Sequence, residues 1–381
     1  MRNEKPKAYI VFHGRFPSEK AASLFVAEHA HALTPHRSVT VLVPRRHDAH
    51  KLASQGSYTV DPEISVVRLA TIDLFSVPWL GPLSFWLSSV VFAFGAYLFL
   101  VRHAREGDVV FANDLIPGLA AVLASRGVVY EVHDYPERWK CAYRFLFSRT
   151  RLVIATNEWK ASELKKDFPE IGERILMERN GVNLSLFTPR SMQEARKELG
   201  LASDQEIAVY TGHLYAWKGV DTLLSAAKRM PDVQCYFVGG TPADVAAHTR
   251  AWKDVPNIHF VGHVPHAKVP LWQSAANVLV LPNTGTQDIS TKYTSPMKLF
   301  EYMASGRPIV ASNLPSIVEV IGTDLAYFFT PDSVESLVAT LNSALMDGAE
   351  AGRRASKARE RSEYHTWEKR AQRIIQKLSI L

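Results

Sequence analysis

Short apolar runs alternate with amphipathic stretches along the first 180 residues. Strands are predicted at Ala8–Phe12 and Val39–Val43 and near Val109, Val128 and Leu152, with a helix from about Ser18 to Leu33. This alternation of strand and helix is typical of a parallel α/β sheet. We therefore expect the N-terminal part of the chain to form one α/β domain.

A second series with the same pattern follows the turn signal Asn180-Gly181 and Pro189. It predicts strands at Ile207–Tyr210 and Val233–Val238 and near His259 and Val278, and a helix from about Gly219 to Met230. A closing amphipathic helix is predicted over Thr366–Leu381. We expect domains at 1–182 and 183–362, with residues 363–381 packing back on the first domain.

Residues 77–101 form a run without a charged side chain that is long enough to span a bilayer. Trp86 near its start and Arg102 at its end favour a membrane-embedded or membrane-dipping helix. The alternative is a buried helix of the fold. We expect a helix from about Leu83 to His103 that belongs to the fold, because the strand near Val109 follows within a few residues. Peripheral attachment to a membrane through this helix stays open.

Composition narrows the class of protein. A chain of 381 residues with 47% hydrophobic and 22% charged residues is neither fibrous nor disordered, and it has room for two to three domains. The net charge of +6 favours phosphates or anionic lipids. Its basic stretch lacks the interleaved aromatic residues of a nucleic-acid groove, so we expect no nucleic-acid partner. Two distant cysteines, Cys141 and Cys235, form no disulfide framework, so we expect a reducing, cytoplasmic location.

The segment from Ser295 to Val310 carries the strongest candidate chemistry. Pro296 can begin a helix and Gly306 can end it, after a loop rich in Thr, Ser and Gly. Free backbone N–H groups at such a helix start can hold a phosphate. A carboxylate on the second turn, Glu301, can accept from ribose hydroxyls, although a lone surface glutamate is the simpler interpretation. The donor-binding candidates here are Ser295, Pro296, Met297, Lys298, Leu299 and Glu301.

A second candidate segment, residues 210–219, lies between a strand and a helix. Gly212 lets a ligand approach the backbone, and Lys218 supplies a point charge suited to a diphosphate. The segment is not a P-loop, because the Gly-Lys-Ser/Thr arrangement is missing. Gly212, His213, Lys218 and Gly239, which follows the next strand, complete the donor-binding candidates. Taken alone, Lys218 would be a solvated lysine.

Four motifs in order carry a family resemblance. They are Gly14–Lys20, Asn180–Asn183 with Phe187 and Pro189, Gly212 with Lys218-Gly219, and Lys298–Pro308. Together they resemble the retaining GT-B glycosyltransferases of family four, the glycosyl transferases group 1. The resemblance implies two Rossmann-like α/β domains facing a central cleft, with the C-terminal helix crossing back to the first domain.

The resemblance also implies roles for single residues. Lys218 would bind the diphosphate of a nucleotide sugar, Glu301 the ribose, and the loop at Gly14 the distal phosphate. His133, in the segment Tyr130–Asp134, matches the family histidine beside the transferred sugar, so His133, Lys218 and Glu301 are the catalytic candidates. The acceptor would bind the N-terminal domain, with Arg15, Asn113 and Asp134 as candidates.

Two departures from the family pattern concern the donor. The family often has a glutamate eight positions before the ribose-binding one, where this chain has Tyr293. The common Gly-Arg pair reads Gly212-His213. We therefore expect altered selection of the donor sugar and weaker or pH-dependent phosphate binding.

No metal site is expected. The sequence contains no HExxH motif, EF-hand loop or cysteine cluster. The pairs His29/His31 and His263/His266 are interpreted as helix-surface and loop residues. A basic side chain and helix dipoles can stabilise a leaving diphosphate without a cation, and the resemblance likewise implies metal-independent transfer without a cofactor beyond the nucleotide sugar.

These observations favour a retaining hexosyltransferase that acts on a glycan or lipid-linked acceptor in surface polysaccharide biosynthesis. We expect it in the cytoplasm, with a peripheral contact to the inner face of the membrane. The alternatives are a noncatalytic partner that binds nucleotide or glycan, and a nucleotide-sugar epimerase or a phosphorylase on a similar scaffold.

Overall fold

The computed structural model describes residues 5–46, 58–72 and 81–381. The chain divides into two compact units, the first formed by residues 1–179 together with 367–381 and the second by 180–366. The sequence places the corresponding boundaries at 182/183 and 362/363.

Unit 1 contains a parallel sheet of seven strands in the order β3-β2-β1-β4-β5-β6-β7. The strands are β1 (Lys7–Val11), β2 (Ser38–Pro44), β3 (Ser65–Leu69), β4 (Val109–Ala112), β5 (Val128–Val132), β6 (Leu152–Ala155) and β7 (Ile175–Met177). The helices described are α1 (Ala21–Leu33), α2 (Gly81–His103), α3 (Leu115–Ala124), α4 (Lys140–Arg149), α5 (Glu158–Asp167) and the C-terminal α14 (Trp367–Ile380). Strands β4, β5 and β6 are buried along their whole length, as expected of central strands with both faces covered.

Two helices of unit 1 begin elsewhere than the pattern predicts. Helix α1 begins at Ala21 rather than near Ser18, because the Ser18 amide donates to Ser23 Oγ at 2.9 Å and Lys20 keeps an extended backbone. Helix α2 begins at Gly81, two residues before the predicted start.

Unit 2 repeats the architecture with six parallel strands in the order β10-β9-β8-β11-β12-β13. The strands are β8 (Glu206–Thr211), β9 (Val233–Val238), β10 (Ile258–Gly262), β11 (Val278–Leu281), β12 (Ile309–Ser312) and β13 (Tyr327–Phe329). The helices are α6 (Met192–Leu199), α7 (Val220–Lys228), α8 (Pro242–Ala251), α9 (Val269–Ala275), α10 (Met297–Ser305), α11 (Pro315–Ile321), α12 (Val334–Met346) and α13 (Gly348–Ser362). The expected pair of parallel α/β domains is confirmed.

The strand order reverses once in each sheet, between β1 and β4 in unit 1 and between β8 and β11 in unit 2. At such a point the connections leave toward opposite faces of the sheet and open a crevice beyond the carboxyl ends of the strands, where open α/β sheets bind their ligands. The fold thus singles out one ligand-binding edge in each unit.

Helix α14 returns to unit 1, as the resemblance implies. Its apolar side packs against the unit, with Ala371, Ile374 and Leu378 buried. The Trp367 ring contacts Phe25 of α1 at 5.4 Å between centroids, and Arg151 donates to the Leu378 carbonyl at 2.8 Å.

Candidate active site

The switch point of unit 2 brings together the donor-binding candidates from separate loops. Gly212 and His213 follow β8, and Gly239 follows the neighbouring β9. Asn283, which sequence reasoning missed, follows β11 on the other side of the switch point. It is fully buried, and neither amide atom of its side chain has a hydrogen-bond partner in the part of the chain that the structure describes. The only sequence signal for Asn283 is a polar residue just after an apolar strand.

Two glycines keep this edge open at the backbone level. Gly212 and Gly239 have φ angles of 128° and 126°, which disfavour any residue with a Cβ. The Gly212 amide donates to the Val238 carbonyl at 2.8 Å. A Cβ on Gly239 would lie 2.4 Å from the Gly212 carbonyl oxygen. Both positions therefore require glycine because the two loops touch there.

Two lysines point their amines into the same region. The Lys218 ammonium lies 3.6 Å from the centroid of the Trp217 ring, in the short helix that precedes α7. The Lys298 amine comes from the first turn of α10 and lies 4.0 Å from the centroid of the Tyr210 ring. A Cβ placed on Gly212 would be 3.1 Å from Lys298 Nζ. The amine of Lys298 is therefore packed directly against the Gly212 loop.

Burial disfavours the charged form of both amines. Burial lowers the pKa of Lys218 to about 7. The pKa of Lys298 is lowered well below its usual range, first by burial and then by the charge of Lys218, while Glu301 acts in the opposite direction. Lys298 Nζ is inaccessible to solvent and has no hydrogen-bond partner among the described residues. An anion bound between the two lysines would supply the missing partner.

Helix α10 begins without a side-chain cap. Pro296 occupies the N-cap position in an extended conformation, and the first turn contains no acidic residue. Asn180 holds the chain just before the helix by donating from Nδ2 to the Ser295 carbonyl at 2.6 Å. The N-terminal backbone N–H groups and the helix dipole therefore favour an anion at the end of the helix that carries Lys298.

Glu301 is not a helix-surface glutamate, because only 8% of it is exposed. Its Oε1 lies 3.0 Å from His266 Nε2, and the His266 ring contacts Phe187 at 5.4 Å between centroids. The interpretation of His266 as a loop residue is therefore incomplete: it lies in a short helix and orients the carboxylate. Glu301 Oε2 is left to accept from a hydroxyl group of a ligand.

His213 takes the place of the family arginine, but its ring is used locally. It stacks on Tyr215 with 4.9 Å between ring centroids and an interplanar angle of 9°. The Tyr210 hydroxyl donates to the His213 carbonyl at 2.6 Å. Tyr293, the other departure, ends a turn of π-helix over Ile289–Tyr293.

In unit 1, the switch point is lined by Gly14 and Arg15 after β1 and by Asn113 after β4. The neighbouring His13 is buried, and its Nε2 lies 3.1 Å from Ser88 Oγ. Burial and the charge of Arg46 lower the pKa of His13 to about 4, so this histidine is neutral at physiological pH. The Asn113 carbonyl accepts from the Tyr130 hydroxyl at 3.2 Å.

His133 follows β5, one strand beyond the switch point, and Asp134 beside it is exposed. The His133 side chain is 29% exposed, and its Nε2 lies 3.2 Å from Glu131 Oε1. The buried Lys160 fixes the backbone here by donating to the carbonyls of Val132 and His133. The His133 side chain is thus partly exposed, while its backbone is held in place by Lys160.

The histidine pairs form no metal site. His29 was interpreted as a helix-surface residue, but it is buried, because Arg370 of α14 covers it with Nη1 3.1 Å from His29 Nδ1. Within residues 5–46, 58–72 and 81–381, no group of three or more His, Cys, Asp or Glu side chains is arranged to hold a metal ion. Independence of metal stays a prediction.

Comparisons with known proteins bear on the family and the fold of the chain. The family model of glycosyl transferases group 1 matches residues 205–347. The chain is 28% identical over 247 residues to TuaC of Bacillus subtilis, a glycosyltransferase provisionally assigned to teichuronic acid biosynthesis, and the match covers 60% of this chain and 59% of TuaC. The chain is therefore matched over less than two thirds of this relative's length.

Solved structures share the fold over nearly the whole chain. Sucrose-phosphate synthase from Thermosynechococcus elongatus superposes with a TM-score of 0.75 at 20% identity, covering 97% of this chain and 98% of that one. HepE of Anabaena in complex with UDP-glucose superposes with a TM-score of 0.74 at 20% identity, covering 98% and 100%. Residues 205–347 therefore belong to the glycosyl transferases group 1 family, and the chain as a whole has the GT-B glycosyltransferase fold.

Proposed function

We propose that this protein is a retaining glycosyltransferase that moves a hexose from a nucleoside-diphosphate sugar to a glycan or lipid-linked acceptor. The observation that carries the proposal is the electrostatic coupling of Lys218 to Lys298, whose amine packs against Gly212 at the switch point of unit 2. Two partly buried lysines of like charge beside an uncapped helix N-terminus can bind a diphosphate. The UDP-glucose in the HepE complex supports a nucleotide sugar as the donor.

The roles of the residues follow from the charge that develops during transfer. The bond between the anomeric carbon and the diphosphate oxygen breaks as the bond to the acceptor hydroxyl forms on the same face, and the acceptor proton goes to the leaving diphosphate. Lys218, Lys298 and the N-terminus of α10 stabilise the negative charge of that leaving group. Glu301, oriented by His266, accepts from the ribose hydroxyls.

The remaining candidates belong to the sugar and to the acceptor. We assign His133 to the transferred sugar, and Arg15, Asn113 and Asp134 to the acceptor. No cofactor or metal ion is required in this scheme, because the lysines and the helix N-terminus carry out the stabilisation that a cation would otherwise provide.

The test is binding and turnover with matched lysine variants. Purified protein is titrated with UDP, GDP and their sugar conjugates by calorimetry, with magnesium and with EDTA. Lys218→Met and Lys298→Met should each weaken nucleotide binding at least tenfold, whereas Lys228→Met, at an exposed lysine that ends α7, should leave binding unchanged. Unchanged binding in both site variants would reject the donor site.

Turnover is tested separately. NMR of the product reports whether the anomeric configuration of the donor is retained, and activity in EDTA reports whether a metal is needed. A product with the inverted configuration would reject the retaining mechanism. Nucleotide binding without transfer to any acceptor would favour the noncatalytic alternative. That alternative is motivated by His213 and Tyr293, the two positions at which the chain departs from the family pattern.

Helix α2 supports a peripheral contact with a membrane. Among the described residues, Leu83–His103 is the one helix long and apolar enough to cross a bilayer by length and composition, with a mean hydropathy of 1.9. Its polarity is inverted relative to a surface helix in water: Ser84, Ser88 and Ser89 are buried, while Phe94 is 62% exposed. The exposed apolar side chains are Leu83, Phe85, Trp86, Leu87, Val90, Phe94, Leu98 and Val101.

A lipid surface explains this inversion better than water does. Phe92, Ala96 and Leu100 of α2 belong to the core of unit 1, so one side of the helix packs on the unit. The opposite side, which is also apolar, is exposed. Exposed cations, Arg102 and Arg105, follow at its C-terminal end, where they can meet anionic headgroups. We therefore propose that the protein works in the cytoplasm, attached through α2 to the inner face of the membrane, where a lipid-linked acceptor is available.

Flotation with vesicles tests this contact. The protein should bind vesicles that contain phosphatidylglycerol, and Phe94→Ser combined with Val101→Ser should release it. Met346→Ser, at an apolar residue of unit 2 that is more exposed than either, should have no effect. Absence of binding to these vesicles, or a dimer in solution whose interface covers α2, would contradict the proposal.

A further inference from the structure

A buried arginine of the C-terminal helix lies at the centre of a polar cluster in unit 1. Arg370 is 1% exposed, and its Nη2 donates to Glu131 Oε1 at 2.6 Å. Its Nε donates to the Arg179 carbonyl at 3.0 Å, and its Nη1 lies 3.1 Å from His29 Nδ1. Arg370 therefore reaches the sheet from a helix at the far end of the chain.

The same carboxylate oxygen also faces His133. Glu131 Oε1 lies 3.2 Å from His133 Nε2, a close contact whose geometry falls short of a hydrogen bond. Phe25 of α1 closes another side of the His133 ring, edge to face at 4.7 Å between centroids. The ring is thus held between Glu131 and Phe25 while 29% of the side chain stays exposed.

The charges of this cluster follow from its burial. Burial opposes ionisation of Glu131, but the Arg370 guanidinium beside it outweighs this effect and holds the pKa of the carboxyl well below its usual range. Burial and the charge of Arg370 lower the pKa of His29 to about 3, so His29 is neutral. Beneath His133 there is accordingly one balanced pair of charges, Arg370 and Glu131.

Stability alone gives a weak reason for such a pair. Moving two charges out of water costs about as much as their attraction returns, and apolar residues of the same volume often stabilise a core as well or better. A buried ion pair whose carboxylate contacts a partly exposed histidine can, however, orient the ring and set its charge.

We propose that Glu131 and Arg370 are positioning residues for His133: Glu131 holds the Nε2 edge of the ring, and Arg370 neutralises the carboxylate. That His133 touches the transferred sugar rests on the proposed function, whereas the coupling within the cluster does not. The other charged groups near the ring are Asp134, its neighbour in the chain, and Asp114, at the N-terminus of α3, whose carboxyl is influenced by His133.

The proposal predicts opposite effects for the two partners. Glu131→Gln leaves the charge of Arg370 facing His133, so the ring should bind its proton more weakly. Arg370→Gln leaves the charge of Glu131 unbalanced, so the ring should bind its proton more tightly. We expect about a tenfold change in proton affinity in each direction, which is a shift of about one pH unit in the titration midpoint. The double variant should return close to wild type.

NMR of protein labelled at histidine Cε1 measures the midpoint, and His133→Asn assigns the signal. The matched control is Arg373→Gln: Arg373 lies on the same helix and pairs with Glu178 at 2.6 Å. This control should leave the His133 signal unchanged. Midpoints that stay at the wild-type value, or that move in the same direction in both variants, would overturn the proposal.

Two further measurements separate the possible failures. If Arg370→Gln does not fold, Glu131→Gln, which removes the charge without changing the shape, and Arg370→Lys, which keeps the charge, still test the predicted direction. The pH profile of kcat should shift with the NMR midpoint in each variant. If the midpoints shift as predicted but His133→Ala keeps the wild-type kcat, the positioning cluster stands and the assignment of His133 to the sugar fails.

Discussion

Raising the pH from 7 to 9 should weaken the binding of UDP by up to about 50-fold, because the site must gain a proton to bind a diphosphate. Burial lowers the pKa of Lys218 to about 7 in the free protein. A bound diphosphate favours the charged amine and raises that pKa again. Binding therefore takes up about half a proton at pH 7 and nearly a whole proton from about pH 8, where the affinity falls almost tenfold for each pH unit.

The magnitude follows from one titrating lysine. With a free-state pKa of about 7, half of the Lys218 amines are charged at pH 7 and about one in 100 at pH 9, which corresponds to a factor of about 50, or ~2.3 kcal/mol of binding free energy. The phosphate groups of UDP change in the opposite direction, since they become more negative as the pH rises through about 6. Lys298 adds to the effect to the extent that its amine is also neutral in the free protein, because its pKa is lowered by burial and by Lys218.

Calorimetry in two buffers with different ionisation enthalpies measures the number of protons taken up. Lys218→Arg is the matched control, because a guanidinium stays charged throughout this range; its UDP affinity should change less with pH than that of the wild type. An affinity that is flat between pH 7 and 9 in the wild type, with no proton uptake, would refute the reasoning.

Three further outcomes are expected. Lys218→Met should raise the unfolding free energy of the ligand-free protein by about 1–3 kcal/mol at pH 6 to 7. Because the folded-state pKa of Lys218 is below its unfolded value, the stability of the wild type should rise with pH from about 7 toward 10.5, where the extra stability of the variant should vanish. Thermal unfolding at several pH values would record this. Gly239→Ala should destabilise unit 2 by about 2–4 kcal/mol and remove UDP binding, since its Cβ would lie 2.4 Å from the Gly212 carbonyl oxygen at a φ of 126°; chemical denaturation showing wild-type stability would contradict this. Glu301→Gln should weaken UDP binding about tenfold and the binding of inorganic diphosphate less, because the proposed role of the carboxylate held by His266 is to accept from the ribose hydroxyls, and it affects the diphosphate only through its charge effect on Lys298; equal losses for both ligands in calorimetry would argue against the ribose assignment.

Much of the architecture follows from local pattern. Apolar runs such as Val109–Ala112 and Leu152–Ala155 fill both faces of a strand, which indicates the centre of a parallel sheet. Turn residues after β1, β8 and β9 place Gly14, Gly212 and Gly239 at the carboxyl edge of their sheets. Helix α10 begins after Pro296 and ends at Gly306, where the αL conformation suits glycine. These features depend on residues close together in the chain, so the sequence is sufficient to predict them.

The pairing of distant side chains is different. Lys218 and Lys298 converge because β8 and β11 are neighbours in the sheet, and Glu131 meets Arg370 because α14 returns to unit 1. His29 likewise becomes a buried residue only when that returning helix covers it. Periodicity reports which side of an element is apolar, but strand order decides what that side meets.

Helix α2 shows that local pattern does not decide which side of an apolar helix is buried. Up to residue 101 its sequence is uncharged and mostly apolar, which allows a buried helix and a membrane-facing one equally well. Only the packing on unit 1 turns the serines inward and leaves Phe94 exposed. The sequence by itself determined the elements, the two α/β series and the loops that carry the chemistry, because these are local properties of the chain. The tertiary structure decided which charges face each other and which apolar face is left open, because burial and electrostatic coupling depend on neighbours that are remote in sequence.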